Sequence, residues 1–349
     1  MATRQSTPKS LVIRFASVGA IAASVALLIV VPRIVGMSWN DVFAVLAGLS
    51  VTTVIALAVL WFLGLLTHTI VLTAALPGLS RRRALLLNLS GSAVSNLVPF
   101  GGAAGIGVGY AMARTWRITP GNFASFTAIS NLWNVIGKLL VGSALVAGSV
   151  IAGLQLPPSM RNAVVYGSGA VLVSALLVVG AFGHPVFGGA ISRGWDLAAN
   201  GLFVRMGMSR RVDVEGVLDR LRKVCTESIV AGWGQLTAGV LAYLGLQAAL
   251  LAGCLLAVGA HTPLLVVAAA FGVERILSLF PLTPGGAGVA ELGSVAVLVA
   301  LGGDPALMAA GVLLYRAFTF LLEIPVGGAS TIAWLLYRTR LASRTGATA

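Results

Sequence analysis

The chain has 349 residues, of which 58% are hydrophobic and 9% charged, and its formal net charge is +13. Because soluble domains carry about 25% charged residues, this composition excludes an ordinary soluble protein and predicts an all-α protein that crosses a membrane several times. The two cysteines and three histidines are scattered without metal-ligand spacing, so no disulfide, metal or other cofactor is expected, and the histidines are expected in loops or at the membrane interface.

Eight apolar segments follow one another along the chain. Each is long enough for a membrane helix of about 20 residues, and the first is expected to be an uncleaved helix rather than a signal peptide. Proline and glycine interrupt the third and the seventh. If each interrupted segment is a pair of half-helices that enters and leaves on one side, about six full spans and two re-entrant hairpins remain; the alternative is ten crossings. The segments are 11–31, 42–76, 84–113, 118–152, 162–183, 226–258, 263–301 and 305–337.

The positive charges indicate the orientation of these segments. With six spans, eighteen of the 23 lysines and arginines fall in loops on one side, which the positive-inside rule makes the cytoplasmic side, and both termini are predicted there. The net charge is therefore attributed to topology and to an anionic leaflet, and no nucleic-acid partner is expected. Within the long loop, residues 210–225 (RRVDVEGVLDRLRKVC) have helical apolar spacing and predict an amphipathic helix on the cytoplasmic surface.

The two interrupted segments look like copies of one unit. At an offset of 184 residues, the Gly-Gly pair of PFGGAAG aligns with that of TPGGAG, and each pair has a span before it and a span after it. The first unit begins outside and the second inside, which predicts an inverted repeat, the architecture of many secondary transporters. A single transmembrane domain is expected over 1–349, with a first helix at 11–41, repeat 1 at 42–152, a connecting region at 153–225, repeat 2 at 226–340 and a tail at 341–349.

The broken tips are the first candidate binding elements. Irregular backbone at membrane depth is tolerated only when it is buried in protein or lines a polar cavity. Proline ends the preceding half-helix, and a half-helix that begins after Gly-Gly presents unpaired N–H groups to a phosphate. The alternative is that the small residues only allow close helix packing. The tip residues predicted to bind substrate are Pro99, Gly101, Gly102, Pro284, Gly285, Gly286 and Gly288.

Six ionisable residues within membrane segments are candidate site residues. Each costs roughly 2.5–3.5 kcal/mol at the bilayer centre, so each is expected to mark a pathway or to have a partner. In one interpretation the basic residues hold an anionic headgroup while the acidic ones couple movement to protons; in the other they are internal ion pairs that hold the helices together. Four asparagines, Asn88, Asn96, Asn131 and Asn134, are expected to help line a hydrated groove. The six ionisable residues are Lys138, Glu274, Arg275, Glu291, Arg316 and Glu323.

Two motifs, NLVPFGGAAGIG (96–107) and ERILSLFPLTPGGAGVAELG (274–293), resemble the lysylphosphatidylglycerol synthase transmembrane-region family, a flippase-like membrane domain. The second motif carries the more specific part of the resemblance, which covers roughly 11–340. The resemblance implies a prokaryotic plasma-membrane protein that moves a polar lipid between leaflets. Since no aminoacyl-transferase domain follows the membrane segments, the chain is expected not to be a synthase or another enzyme.

The leading hypothesis is therefore a flippase for a polar lipid, anionic or glycosylated, or for a lipid-linked glycan. No GxxxxGK[ST] stretch is present, so transport would be driven by a proton or other ion gradient, by the membrane potential, or downhill. The alternatives are a non-transporting partner or scaffold of a cell-envelope glycosyltransferase, and an intramembrane lipid-modifying enzyme.

Overall fold

The computed structural model describes residues 46–97, 101–156, 161–162, 164–173, 214–279 and 288–344, together with positions 40 and 44. Within these ranges every regular element is a helix, which confirms the prediction of an all-α protein. A π-helical segment, Ala317–Leu321, lies between the last two helices. In chain order the α-helices are α1 (Val51–Ala75), α2 (Arg81–Leu97), α3 (Gly101–Thr115), α4 (Pro120–Ile151), α5 (Val164–Val173), α6 (Val214–Ala257), α7 (Leu264–Leu277), α8 (Val289–Ala300), α9 (Pro305–Arg316) and α10 (Glu323–Arg344).

Four helical stretches in the described part of the chain are long and apolar enough to cross a membrane. They are α1, α4, the portion Ala231–Ala257 of α6, and Pro305–Tyr337, which combines α9, the π-helix and much of α10. These stretches match four of the six predicted spans and confirm the prediction of a membrane protein. The predicted span at 11–31 lies outside the described residues, and α5 is the described part of the span at 162–183.

The helices α4 and α9 both begin with a side-chain cap followed by a proline. The Thr119 hydroxyl and the Asp304 carboxylate each accept hydrogen bonds from backbone N–H groups in the first turn of the helix that follows. The next residue in each case is a proline, Pro120 or Pro305, whose missing N–H would have no intrahelical acceptor at that position. The local sequence therefore determines where both helices begin.

The helices α2 and α3 pack against each other as an antiparallel hairpin. A Cβ atom at Gly105 would lie 2.7 Å from the carbonyl oxygen of Gly91, and one at Gly101 would overlap the backbone of Ser95. The break between α2 and α3 falls after Leu97, inside the predicted interruption. The second interrupted segment is also two helices, since α7 ends at Leu277 and α8 begins at Val289.

Arginines surround the base of the α2–α3 hairpin. Three arginines begin α2, and two more follow or end α3, so both ends of the hairpin carry positive charge on the same side. All five are exposed, and the guanidinium of Arg83 lies 5.2 Å from the centre of the Trp116 ring across the base. The five residues are Arg81, Arg82, Arg83, Arg114 and Arg117.

The helices α1 and α6 run antiparallel through the centre of the protein. A Cβ atom at Gly253 would lie 3.0 Å from the Leu57 side chain near one end of the contact, and one at Gly239 would lie 2.9 Å from the Val71 side chain near the other end. The leucines Leu236, Leu244 and Leu251 of α6 are buried.

Two further crossings depend on a missing side chain. The helices α4 and α7 approach at Gly142, where a Cβ atom would lie 2.9 Å from the carbonyl oxygen of Gly272. The helices α2 and α10 approach at Gly327, where a Cβ atom would overlap the carbonyl oxygen of Leu89. At both crossings the helices are closer than any side chain larger than hydrogen allows.

The amphipathic stretch predicted at 210–225 is helical from Val214 onwards, but it is not a separate surface helix. It forms the first turns of α6, which continues without a break to Ala257, and no proline interrupts these 44 residues. At about 1.5 Å per residue, such a helix is longer than the hydrocarbon core, which is about 30 Å thick. The stretch therefore extends a spanning helix out of the bilayer, which corrects the prediction.

Replacing Gly327 tests the α2–α10 crossing, and its neighbour provides the control. Gly327→Ala should lower the melting temperature of the detergent-solubilised protein, because overpacking costs about 1–3 kcal/mol. Gly328→Ala, where the added methyl group meets nothing within 4 Å, should leave the melting temperature unchanged or raise it. Equal melting temperatures for the two variants would contradict this crossing.

Candidate functional site

A buried arginine organises the helices around α7. The Arg275 guanidinium donates two hydrogen bonds to the Glu274 carboxylate, one to the side-chain oxygen of Gln247 at 2.5 Å and one to the hydroxyl of Tyr315 at 2.9 Å. The guanidinium also lies 4.9 Å from the centre of the Phe271 ring. The Arg275 and Glu274 side chains are only 6% and 2% exposed. Arg275 thus joins α7 to α6 and α9 and has its charge balanced within the protein.

A second ion pair fixes the start of α8. Glu291 accepts a hydrogen bond of 2.5 Å from the Nε atom of Arg316, and its other oxygen accepts one of 2.7 Å from the backbone N–H of Gly288. The carboxylate therefore caps α8 and binds it to α9, where the negative charge also favours the helix N-terminus. The guanidinium of Arg316 lies 5.4 Å from the centre of the Phe320 ring in the π-helix.

Lys138 and Glu323 complete the set of ionisable residues in the spans. Lys138 is half-buried on α4, where the charges of Glu274, Arg275 and Arg316 act on it, and it makes no ion pair with any residue the structure describes. Glu323 is 8% exposed at the start of α10. The electrostatic field of Arg316 acts on Glu323 too. All six ionisable residues therefore belong to one electrostatic neighbourhood.

A cleft of about 300 Å³ lies beside the α2–α3 hairpin, between this hairpin, α1 and α4. All four asparagines that the sequence analysis placed in a groove line it, together with His68 from α1. Four hydroxyl side chains and four glycines contribute to the wall, and its apolar part includes the rings of Phe123 and Phe126. The hydroxyls belong to Ser92, Ser95, Thr127 and Ser130, and the glycines are Gly91, Gly102, Gly105 and Gly109.

His68 connects this cleft to the buried arginine. Its Nε2 atom lies 3.2 Å from the side-chain amide of Asn134, and its ring stacks on Tyr243 with 4.5 Å between the ring centres. The Tyr243 hydroxyl accepts a hydrogen bond of 2.6 Å from Gln247, whose oxygen binds Arg275. His68 is 7% exposed inside a span, so the expectation of a loop or interfacial position was wrong for this residue. Tyr243 and Gln247 were also missed by the sequence analysis. Two polar residues four positions apart in an apolar helix were the signal that could have identified them.

The family model described as "Lysylphosphatidylglycerol synthase TM region" matches residues 17–327. The chain belongs to this family. It is thus a membrane protein of the lysylphosphatidylglycerol synthase transmembrane family, as the two motifs suggested. A search of curated proteins finds no match to the chain.

The predicted site residues of this family member fall into two groups. The Asn residues and Gly102 line the cleft, and Gly101 contacts α2 beside it. The charged residues lie in the ion-paired neighbourhood and not in the described lining of the cleft. Gly288 precedes α8 with a φ of 95°, a left-handed conformation that favours glycine. Four predicted tip residues, Pro99, Pro284, Gly285 and Gly286, lie outside the described residues.

Removing the Glu274 charge should destabilise the protein. Glu274→Gln leaves the Arg275 guanidinium buried without a counter-charge, and breaking a buried ion pair costs about 3–5 kcal/mol. Melting of the detergent-solubilised variant should therefore occur at a clearly lower temperature than for the unmodified chain. Asp304→Asn is the matched control, because it also removes one negative charge but keeps a good N-cap at an exposed position. A Glu274→Gln variant as stable as this control would show that the pair does not hold the helices together.

Proposed function

We propose that the protein is a lipid transporter that moves a polar lipid between leaflets, with the headgroup in the cleft and the tails in the bilayer. One observation carries the proposal: a cleft lined by amides, hydroxyls and glycine backbone lies between the spanning helices α1 and α4 and a broken pair of helices. Polar side chains at this depth are costly unless they bind each other, water or a ligand. A polar lipid headgroup is the ligand that a membrane supplies to such a cleft.

The inverted repeat is part of this proposal, and several contacts support it. The equivalent helices α1 and α6 run antiparallel. At the repeat offset of 184 residues, Leu89 corresponds to position 273 and Gly327 corresponds to position 143. Each of these positions is one residue away from a member of the pair Gly272 and Gly142, which contact each other. The crossing of α2 with α10 thus has its counterpart in the crossing of α7 with α4. In this arrangement α2–α3 and α7–α8 are re-entrant hairpins, since α7 and α8 have only 14 and 12 residues, short of the roughly 20 that a span requires.

The proposal also includes an orientation and a location. The five exposed arginines at the base of the α2–α3 hairpin favour a cytoplasmic base under the positive-inside rule. We place both termini in the cytoplasm and the protein in the plasma membrane of a prokaryote. As a transporter the protein catalyses no covalent step, and a cell-envelope biosynthesis enzyme that makes or uses its lipid is the partner we expect.

Among the three membrane carboxylates, Glu323 has the surroundings suited to a coupling proton. Glu274 and Glu291 each form an ion pair with an arginine. Glu323 instead lies beside Ser92 and Asn96, two residues of the cleft wall. Asn96 also donates a hydrogen bond of 3.4 Å to the carbonyl oxygen of Phe320 in the π-helix, so α2 contacts the irregular segment directly before Glu323.

Obstructing the cleft tests the transport proposal. Gly102 lines the cleft with open space where a side chain would project, whereas Gly107, also open and on the same helix, does not line it. Gly102→Leu should slow lipid translocation in proteoliposomes by about tenfold or more, which corresponds to about 1.4 kcal/mol or more in the barrier. Gly107→Leu should leave the rate unchanged.

The outcome against the proposal is equally direct. If none of a panel of polar lipids moves faster than in protein-free vesicles, or if the Gly102 and Gly107 variants behave alike, the cleft is not a lipid path. A scaffold role would then account better for the protein.

Neutralising Glu323 tests proton coupling. Glu323→Gln keeps the shape of the side chain and its polar contacts but cannot exchange a proton near neutral pH. We expect an imposed pH gradient to change the translocation rate of the unmodified protein and to have no effect on the variant. Asp304→Asn should keep the response. If the Glu323→Gln variant still responds to the pH gradient, a group other than Glu323 couples translocation to protons.

A further inference from the structure

The lining of the cleft indicates the chemical class of headgroup that it binds. We propose, building on the transport function above, that the cleft takes a neutral polyhydroxylated headgroup, such as the sugar of a glycosyl diacylglycerol. Anionic phospholipid headgroups and cationic aminoacylated ones are disfavoured.

The first argument is the absence of charge. None of the described residues that line the cleft is an aspartate, glutamate, lysine or arginine. The buried Arg275 outside this lining already has its guanidinium hydrogen-bonded to Glu274, Gln247 and Tyr315. A charged group that leaves water without a counter-ion is strongly penalised. Lys138 and Glu323 act on or lie beside lining residues but do not belong to the lining. An ionised headgroup would therefore lose hydration against a wall that offers it hydrogen bonds and no direct ion pair.

The second argument is the balance of donors and acceptors. A side-chain amide has two N–H donors and an accepting oxygen, and a sugar hydroxyl likewise both donates and accepts. Phosphate oxygens only accept, and an ammonium group only donates. Asn131 uses one N–H for a hydrogen bond of 2.8 Å to the carbonyl oxygen of Thr127, which leaves its oxygen and its second N–H for a ligand. Asn131 is exposed, so these groups are accessible.

The third argument is geometry. Asn131 and Asn134 are three residues apart on α4 and so lie on one helix face, while Asn88 projects from α2 towards His68. The amides thus reach a ligand from two sides, and the Phe123 and Phe126 rings provide an apolar surface for the C–H face of a sugar ring. A volume of about 300 Å³ is at the lower end of small-molecule sites, which suits a headgroup whose tails stay in the bilayer.

The test compares lipids that differ only in the headgroup. The full chain is purified in a detergent without sugar groups, because a glycosidic detergent would compete for the cleft, and is reconstituted in proteoliposomes. Translocation is measured for glucosyl diacylglycerol, phosphatidylglycerol and lysyl-phosphatidylglycerol with the same acyl chains. We expect the glucosyl lipid to move about tenfold faster than either charged lipid, as one or two additional hydrogen bonds would give.

The variants locate the effect. Asn131→Leu should slow glucosyl lipid movement by about tenfold, as the loss of hydrogen bonds at one amide predicts. Asn122→Leu, on an exposed residue in the first turn of the same helix and outside the cleft lining, should have no effect. Equal melting temperatures for both variants and the unmodified protein establish that the fold is intact.

Each outcome separates this inference from the proposed function. If a charged lipid moves as fast as the glucosyl lipid or faster, transport stands and the headgroup assignment is overturned. If the glucosyl lipid moves fastest but Asn131→Leu and Asn122→Leu are alike, the selectivity does not come from this cleft, and the assignment fails there. If no lipid moves, both proposals fall together. The headgroup comparison in the unmodified protein decides the assignment even if a variant fails to fold.

Discussion

The need to neutralise a buried arginine organises much of this protein. Arg275 cannot lose its proton and brings five N–H donors into a region that hydrocarbon surrounds, so each donor needs an acceptor from the protein. Its hydrogen-bond acceptors are supplied by α7 itself, α6 and α9. The Glu291–Arg316 pair then attaches α8 to α9. Together these contacts make α6 to α9 one connected block, against which α1 packs along its length.

The two broken segments solve the same backbone problem with different chemistry. The arms of the α2–α3 hairpin contact through glycine and serine, at Gly91, Ser95, Gly101 and Gly105, and a polar cleft remains beside them. The α7–α8 segment carries Glu274, Arg275 and Glu291, and its two carboxylates accept hydrogen bonds from arginines and from a backbone N–H. The first broken segment thus leaves an accessible polar surface, and the second is held by ion pairs. The predicted site residues are divided between the cleft beside the first segment and the ion-paired block around the second.

Composition and periodicity were enough to predict the membrane class, four of the spans and the position of both breaks, because hydrophobicity and proline–glycine pairs act locally. The four cleft asparagines could also be selected, since amides in apolar helices are rare and expensive. Internal ion pairs were one of the two interpretations of the charged residues, but the pairing of Glu291 with Arg316 could not be predicted. These residues are 25 positions apart, and only the helix crossings bring them together. Spacing would have placed Arg316 and Glu323 on one helix face, but a π-helix at Ala317–Leu321 lies between them and changes the phase of the helix. His68 was missed because its partners, Asn134 and Tyr243, come from two other helices.

None of the described residues that line the cleft is Asp, Glu, Lys or Arg, and this affects the energetics of translocation. Moving one elementary charge across the membrane against 100 mV costs about 2.3 kcal/mol, in addition to desolvation. If the two ion pairs stay in place while a neutral headgroup passes through a cleft lined by amides, neither cost arises in the translocation step. A carrier of that kind can work downhill on a lipid gradient, and a proton at Glu323 would add direction rather than overcome an electrical barrier. A chain of hydrogen bonds and one ring stack, from Asn134 through His68, Tyr243 and Gln247 to Arg275, connects the cleft to the block. Side chains that touch one another thus join the cleft wall to the Arg275–Glu274 ion pair.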